Sequence, residues 1–390
     1  MKKFCFVYLK RTNDVKRYEI IPASLHPDFD ELISSFKLFT KFELVELDSI
    51  DSNTSLFITF QSIDSNELGQ YDFINSFLKS ISLKNVFFDL SSYDNQEINQ
   101  KDIDELCDLI DVENYVISKN LIKNRDNQLW FEELFFHYMQ PNSVIPQNIL
   151  AFKQVEMASK EVLRKFKGIF YAGHSRIHKL QFLEFLYQND YIKDFIWAST
   201  GPDYKPHMFN EFIPVGFREE YNNMEIIKQL PHLNDYEDYD RWRNSGNAYN
   251  FTSFLDSYFD IVGETRFYHM ENSEGTVNTF LNWNNISEKP IKPTLMGHPF
   301  IIISKPNTIS VLENMGLKYR YDFWNYDYDS IEDAEDRLRQ VENFTKKVMN
   351  MNSSELKEFN KDYGQFSKTN YDIMLNDVYI KSINDIWNTL

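Results

Sequence analysis

The chain has 390 residues, and its 41 basic side chains stand against 59 acidic ones, a formal net charge of −18. A surface this acidic excludes a general nucleic-acid coat, which must neutralise phosphates with Lys and Arg over a broad face, while leaving room for a local basic cleft. Hydrophobic residues make up 42% and charged residues 26%, with 34 Phe, 23 Tyr and 6 Trp; that composition builds packed cores and excludes a disordered tail protein.

At roughly 100–200 residues per domain, the length predicts two or three domains. Glycine is scarce, 11 in the whole chain, and neither GxGxxG nor GxxxxGK[ST] occurs. Nucleotide chemistry, if the chain performs any, must hold phosphates with side chains and helix N-termini. The two cysteines, Cys5 and Cys107, are too few for a disulfide framework or a Cys-rich zinc site, so a reducing compartment is expected. The apolar run Phe4–Leu9 stops at Lys10 and Arg11, too short for a signal peptide, and no run approaches the length of a membrane span. These features predict a cytoplasmic protein, in a bacterium or a phage-infected host.

Taken in chain order, the first half alternates short apolar runs with amphipathic stretches, as βα units around a parallel sheet do. Phe4–Leu9, Ser55–Phe60, Asn85–Leu90 and Tyr115–Ser118 read as strands. Asp28–Phe39, Tyr71–Ile81 and Asp102–Asp111 space their apolar residues three and four apart and read as helices. Trp130, Phe131, Phe135, Phe136 and Tyr138 read as an aromatic helix sealing the first domain. A second alternation begins near residue 165: strand Gly168–Ala172, helix Ile177–Gln188, strands Phe195–Ser199 and Pro299–Ser304. Between the last two, Gly201–Asn247 is rich in Pro, Asn, Asp and Tyr and reads as a loop-rich excursion. Ser330–Met349 and Ser353–Leu390 read as helices.

The fold class expected is therefore α/β, with two Rossmann-like domains facing across a cleft. The expected boundaries are 1–160, 161–350, and C-terminal helices over 351–390. Ligands of such folds sit outside the carboxyl ends of the strands, and interdomain clefts are favoured positions.

The most informative stretch runs from Ile286 to Ile303: Ile-Ser-Glu-Lys-Pro-Ile-Lys-Pro-Thr-Leu-Met-Gly-His-Pro-Phe-Ile-Ile-Ile. A helix beginning near Ser287, with Pro290 in its first turn where a missing N–H costs little, presents free amides that attract anions. Lys289 and Lys292 add formal positive charge beside them, and Glu288 suits a vicinal diol such as a ribose. The competing reading is a capped surface helix with solvated charges.

Ser287-Glu-Lys-Pro-Ile-Lys-Pro, Gly297-His-Pro-Phe-Ile-Ile-Ile, Leu312 to Gly316-Leu and Tyr321-Asp-Phe-Trp together resemble the C-terminal half of phage and bacterial glycosyltransferases of GT-B architecture. Those enzymes carry a Thr-Glu-Lys-x-x-Lys-Pro motif related to that of the α-1,3-fucosyltransferases. The resemblance covers roughly residues 165–345 and implies a ribose-binding Glu288 and a diphosphate-binding Lys289, with Ser287 where Thr is usual. It extends to Ile261-Val-Gly-Glu-Thr265, implying Glu264 near the donor. It extends also to Tyr171-Ala-Gly-His-Ser-Arg-Ile-His178, implying that Arg176 reaches the donor phosphates. A loop carboxylate capping a helix and a surface ion pair are the competing readings of Glu264 and Arg176.

Other patterns weigh less. His174 and His178, four apart, have the spacing of a shared metal but no third ligand, so two ordinary histidines are the expectation and no resident metal is assigned. Asp-x-Asp at Asp28/Asp30, Asp102/Asp104, Asp238/Asp240 and Asp327/Asp329 reads as chance in an Asp-rich chain. The run Tyr319, Tyr321, Phe323, Trp324, Tyr326 and Tyr328 reads as packing before it reads as a stacking platform for a base or sugar.

The function these readings imply is metal-independent transfer of a sugar from a nucleotide-sugar co-substrate to a hydroxyl acceptor. Arg176 and Lys289, with Lys292 in support, would stabilise the leaving diphosphate. No resident cofactor is expected. The acceptor would be a glycan or a hydroxylated base in phage DNA, the latter served by Lys119, Lys123, Arg125 and Lys153–Lys167. The acceptor's general base is not identified; Glu132, Glu133 and His137 lie near the expected domain junction. The alternative is a non-catalytic nucleotide- or carbohydrate-binding protein of the same fold.

Overall fold

The structure is a computed structural model that describes residues 2–11, 18–22, 42–45, 49–51, 54–60, 85–89, 115–118, 128–130, 163–173, 176–200, 213, 215–232, 251–264, 267–268 and 288–374. The chain divides into two compact units. One comprises Met1–Gln140, Thr279–Asn285 and Asn376–Leu390; the other comprises Pro141–Asn278 and Ile286–Leu375.

In the first unit the described strands are β1 (Lys2–Arg11), β2 (Tyr18–Pro22), β3 (Phe42–Leu44), β4 (Thr54–Phe60), β5 (Asn85–Asp89), β6 (Tyr115–Ser118) and β7 (Gln128–Trp130). They form one sheet in the order β2-β1-β4-β5-β6-β7, with β3 also on β1. All neighbours are parallel except β1 and β2. β4 occupies one edge of β1 over Lys3–Leu9, so β2 and β3 share its other edge. That double pairing carries β1 beyond its apolar run Phe4–Leu9 into Lys2 and Arg11, because ladder hydrogen bonds are indifferent to side-chain polarity. Cys5 faces Leu56 across the β1–β4 pair, and both are buried. Trp130 ends strand β7, so the helical reading of that aromatic stretch is corrected at its first residue; Phe131 to Tyr138 lie outside the described residues. The predicted helices 28–39, 71–81 and 102–111 also lie outside them.

The second unit contains β8 (Phe166–Gly173), α1 (Ile177–Gln188), β9 (Phe195–Ser199), α2 (Arg218–Asn223), α3 (Phe251–Asp256), β10 (Ser257–Gly263), α4 (Glu288–Leu295), β11 (Phe300–Ile303), α5 (Thr308–Asn314), α6 (Ala334–Met349) and α7 (Ser353–Asp372). Its four-stranded sheet is parallel throughout, in the order β11-β10-β8-β9. The bounds of α1 and β9 match the periodicity reading. The described part of the 201–247 excursion is not plain loop: it holds α2 and two 3-10 turns, and His232 pairs with Ser199 at the end of β9. The predicted helix Ser330–Met349 begins only at Ala334, after Asp333, whose side chain caps it. The last helix is described to Asp372, with an Asn352 capping box at its start.

Helices cover both faces of this sheet. Gly263 faces α1, where a Cβ would lie 3.2 Å from Lys179 Cε, and Asp260, on the alternate face, is the electrostatic neighbour of Lys292 on α4. Gly168 stands in register between Phe195 and Phe259. A Cβ there would sit 2.4 Å from Phe195 Cε1, so the glycine is what lets the two flanking rings meet edge to face at 5.6 Å.

The edge strand β11 is closed by side chains. The Phe300 carbonyl accepts from Trp324 Nε1 at 3.0 Å and from the Tyr326 hydroxyl at 2.7 Å, and the Ile302 amide donates to the Tyr328 hydroxyl at 3.1 Å. Trp324, Tyr326 and Tyr328 are all buried. The aromatic run thus packs, as expected, and its polar tips satisfy a sheet edge that would otherwise offer itself to another strand.

Candidate functional site

Strand order determines where a ligand is held. From β8 the chain crosses to β9 on one side, then returns to β10 on the other side of β8 and continues outward to β11. The order reverses between β8 and β10, and the crevice outside their carboxyl ends is the topological switch point at which open α/β sheets bind ligands.

β8 ends at Gly173, whose φ of 59° is readily adopted only without a side chain. Its carbonyl accepts from both the amide and the hydroxyl of Thr200 beyond β9. Arg176 is the N-cap residue of α1, with no side-chain cap hydrogen bond among the described residues. His178 follows in the first turn, buried, and Lys179 turns back to donate to the Ala172 carbonyl at 2.9 Å.

β10 delivers Glu264 to the same place. Its amide donates to the Ile303 carbonyl at 2.9 Å, and its carbonyl receives His178 Nε2 at 2.8 Å. Because a carbonyl only accepts, Nε2 carries the proton. Burial, followed by the charge of Lys179, holds the His178 pKa well below the usual histidine value, and the charges of Arg176 and Arg337 push the same way. The carboxylate Oε2 of Glu264 lies 3.6 Å from Lys289 Nζ on α4, the glutamate side chain 12% and the lysine 29% exposed.

The helix predicted to begin near Ser287 begins at Glu288, and Pro290 occupies its third position. Ser287 and the side chain of Glu288 lie outside what the structure describes. Pro293, in the helix interior, has no N–H to return to the Lys289 carbonyl. Thr294 supports the helix from within and without: its Oγ1 donates to the Pro290 carbonyl one turn back at 2.7 Å and contacts the Tyr319 hydroxyl at 2.9 Å. Asp260, on β10, feels the charge of Lys292. Burial drives that carboxyl well above the usual range, and Lys292 opposes the shift.

At the end of β11 the helix N-terminus is already occupied. Asp329 Oδ2 accepts from the amides of Ile309 and Ser310 at the start of α5, at 2.9 and 3.3 Å. Asp327/Asp329 is therefore a helix cap with an exposed neighbour, in keeping with the chance reading of Asp-x-Asp; the other three occurrences lie outside the described residues. Lys167 is engaged likewise, donating to the carbonyls of Met349 and Met351 at the end of α6. His174, Lys119, Lys123, Arg125, Lys153, Glu132, Glu133 and His137 lie outside the described residues. No group of three metal-ligating side chains occurs among the described residues, and no described helix is long and apolar enough to cross a membrane.

Arg176, Glu264 and Lys289, spread over 114 positions of sequence, thus lie around one switch point, and the charge of Lys292 acts on Asp260. Two residues there carry no sequence signal. Phe267 stacks on the His178 ring at 5.2 Å and 21°, and the Arg337 guanidinium lies 4.6 Å from the centre of the Phe267 ring. A cation at a helix N-terminus, a lysine and a carboxylate beside it can bind an anion and orient a hydroxylated group attached to it.

No protein-family model and no curated protein matches the chain. Among solved structures it is similar to the N-terminal domain of trehalose-6-phosphate phosphatase from Candida albicans, with 12% identity over 86% of this chain and 71% of that one and a TM-score of 0.33. A likeness at that level carries no argument about activity.

Proposed function

We propose that the protein is a nucleotide-sugar-dependent glycosyltransferase of GT-B architecture. In this reading residues 161–350 bind the donor, residues 1–160 serve the acceptor, and 351–390 add C-terminal helices. The observation that supports it is the Glu264–Lys289 pair at the switch point of a parallel sheet, beside the start of α1, whose N-cap residue is Arg176. An anion exchanged for the Glu264 carboxylate at Lys289 would gain a preformed cation and the partial charges of a helix N-terminus. Glu288, next to Lys289, is assigned the ribose diol, Ser287 a supporting hydroxyl, and Glu264 the donor's polar groups.

In glycosyl transfer the leaving nucleoside diphosphate gains negative charge as the glycosidic bond to the donor breaks. Cations already fixed there stabilise the transition state more than the ground state. Arg176 and Lys289 carry that task in the proposal. Lys292 adds a supporting charge. The acceptor hydroxyl belongs to a glycan or to a hydroxylated base in phage DNA.

Calorimetric titration with UDP, GDP, CDP and ADP tests the donor site, and incubation with the matching nucleotide sugars tests turnover. Binding of one diphosphate and its release from the sugar form supports the enzyme. Binding without release in the presence of glycan and DNA acceptors favours a non-catalytic nucleotide-binding protein, and no binding of any diphosphate removes both nucleotide readings. A steep loss of acceptor affinity with salt identifies DNA, since each neutralised phosphate releases counterions.

A further inference from the structure

Glu264 is held in place by groups far from it in sequence. Its amide continues the β10–β11 ladder and its carbonyl is tied to His178. Beyond it, Phe267 lies against the His178 ring, and the Phe267 carbonyl accepts from Arg337 Nη2 at 3.1 Å. Arg337, on α6, is 2% exposed. Its other donors reach three more carbonyls: Nε that of Ser304 at 2.9 Å, and Nη1 those of Ile331 and Glu332 at 2.6 and 3.0 Å.

We propose that Arg337 is a positioning residue: acting through Phe267 and His178, it fixes the backbone of Glu264 and thereby the carboxylate that faces Lys289, while touching no ligand itself. Every hydrogen bond Arg337 makes among those described goes to a backbone carbonyl, and these carbonyls come from the end of β11, the segment before α6 and the segment after β10. A planar guanidinium sets the relative position of three such segments at once, which a lysine ammonium, a point charge on a flexible stem, does not. Burial lowers its pKa only to about 10, so the fork stays charged at neutral pH. A buried charge of this kind adds little net stability once its desolvation is counted, which leaves geometry as what it contributes. The consequence for ligand binding rests on the nucleotide-sugar reading; the consequence for Glu264 itself does not.

The test uses the full chain as wild type, Arg337→Lys, Glu264→Gln and the double variant. Amide hydrogen exchange at Glu264 is expected to rise about tenfold in Arg337→Lys, as a local opening, while α7 keeps its protection. Affinity for the nucleoside diphosphate that wild type binds best, drawn from UDP, GDP, CDP and ADP, is expected to fall about tenfold in Arg337→Lys but under about twofold when the same change is made in Glu264→Gln. Unchanged exchange at Glu264 overturns the proposal, as does an equal loss of affinity in both backgrounds, which would mark general loosening. If no diphosphate binds wild type, the donor reading falls and the exchange measurement alone decides the role of Arg337. Should Arg337→Lys not fold, Phe267→Leu breaks the same link and is judged by the same two readouts.

Discussion

Lys289 Nζ sits 3.6 Å from Oε2 of Glu264, joining the first turn of α4 to the carboxyl end of β10. A partly exposed pair of this kind is worth at most about 1 kcal/mol. Lys289→Ala is therefore expected to leave the urea midpoint nearly unchanged. The affinity for a nucleoside diphosphate should drop about 10- to 100-fold, the size of a lost charge-assisted hydrogen bond. Calorimetry on the folded variant checks this, and equal affinity for variant and wild type removes Lys289 from the phosphate role.

Tyr328 closes the edge of β11 by accepting the Ile302 amide in a buried setting. Tyr328→Phe keeps the ring and strands the amide. A loss of about 1–3 kcal/mol in unfolding free energy is expected, the penalty of a buried donor left without a partner. An unfolding free energy equal to wild type would show that the amide finds another acceptor.

Asp329 is pushed up to about 6, chiefly by burial, with its Oδ1 buried and without a hydrogen-bond partner among the described residues. For an acid raised in the folded state, protonation favours folding: the contribution is complete below about pH 4, shrinks as pH rises through about 6, and is gone above. Asp329→Asn keeps an acceptor for α5 and removes the titration. Relative to wild type the variant should therefore gain stability between pH 4 and pH 7, by an amount on the order of a few kcal/mol. Denaturant unfolding of both proteins at several pH values reads the difference, and a constant offset would contradict it.

His178 and His298 shift the opposite way. Burial lowers both, with the charge of Lys179 second at His178 and that of Arg164 second at His298, which falls to about 3. A histidine kept neutral in the fold gives its full contribution above about pH 6.5 and loses it as pH falls. His178 Nε2 lies 2.8 Å from the Glu264 carbonyl, so that ring carries its proton on Nε2. Long-range proton–nitrogen NMR at pH 5.5 should show two neutral rings, that of His178 protonated on Nε2, and a cationic signal from either would refute the assignment.

The local parts of this architecture were legible because they depend on neighbours in sequence. The three- and four-residue spacing in Ile177–Gln188 and the continuous apolar runs at Phe195–Ser199 and Tyr115–Ser118 each specify an element without help from elsewhere. Short strands such as Phe42–Leu44 and Gln128–Trp130 escaped, since three residues carry no period and their pairing is supplied by the adjacent strand. The types of residue at the switch point were legible too, as an arginine, a glutamate and a lysine flanked by strand and helix signals. Their association was implied by the family resemblance alone, since no spacing in the sequence shows it.

What the amino-acid order determined by itself, then, is an α/β chain poor in glycine, with a helix start bearing Glu288, Lys289 and two prolines ahead of an apolar strand. Only the tertiary structure decided that β10 lies beside β8, that Glu264 meets Lys289 there, and that Arg337 and Phe267 stand behind the site. His178 and Glu264 are 86 residues apart, and Arg337 and Phe267 are 70 apart. Contacts at such separations follow from strand order and helix packing, and those are settled by burial of whole faces rather than by the sequence near either partner.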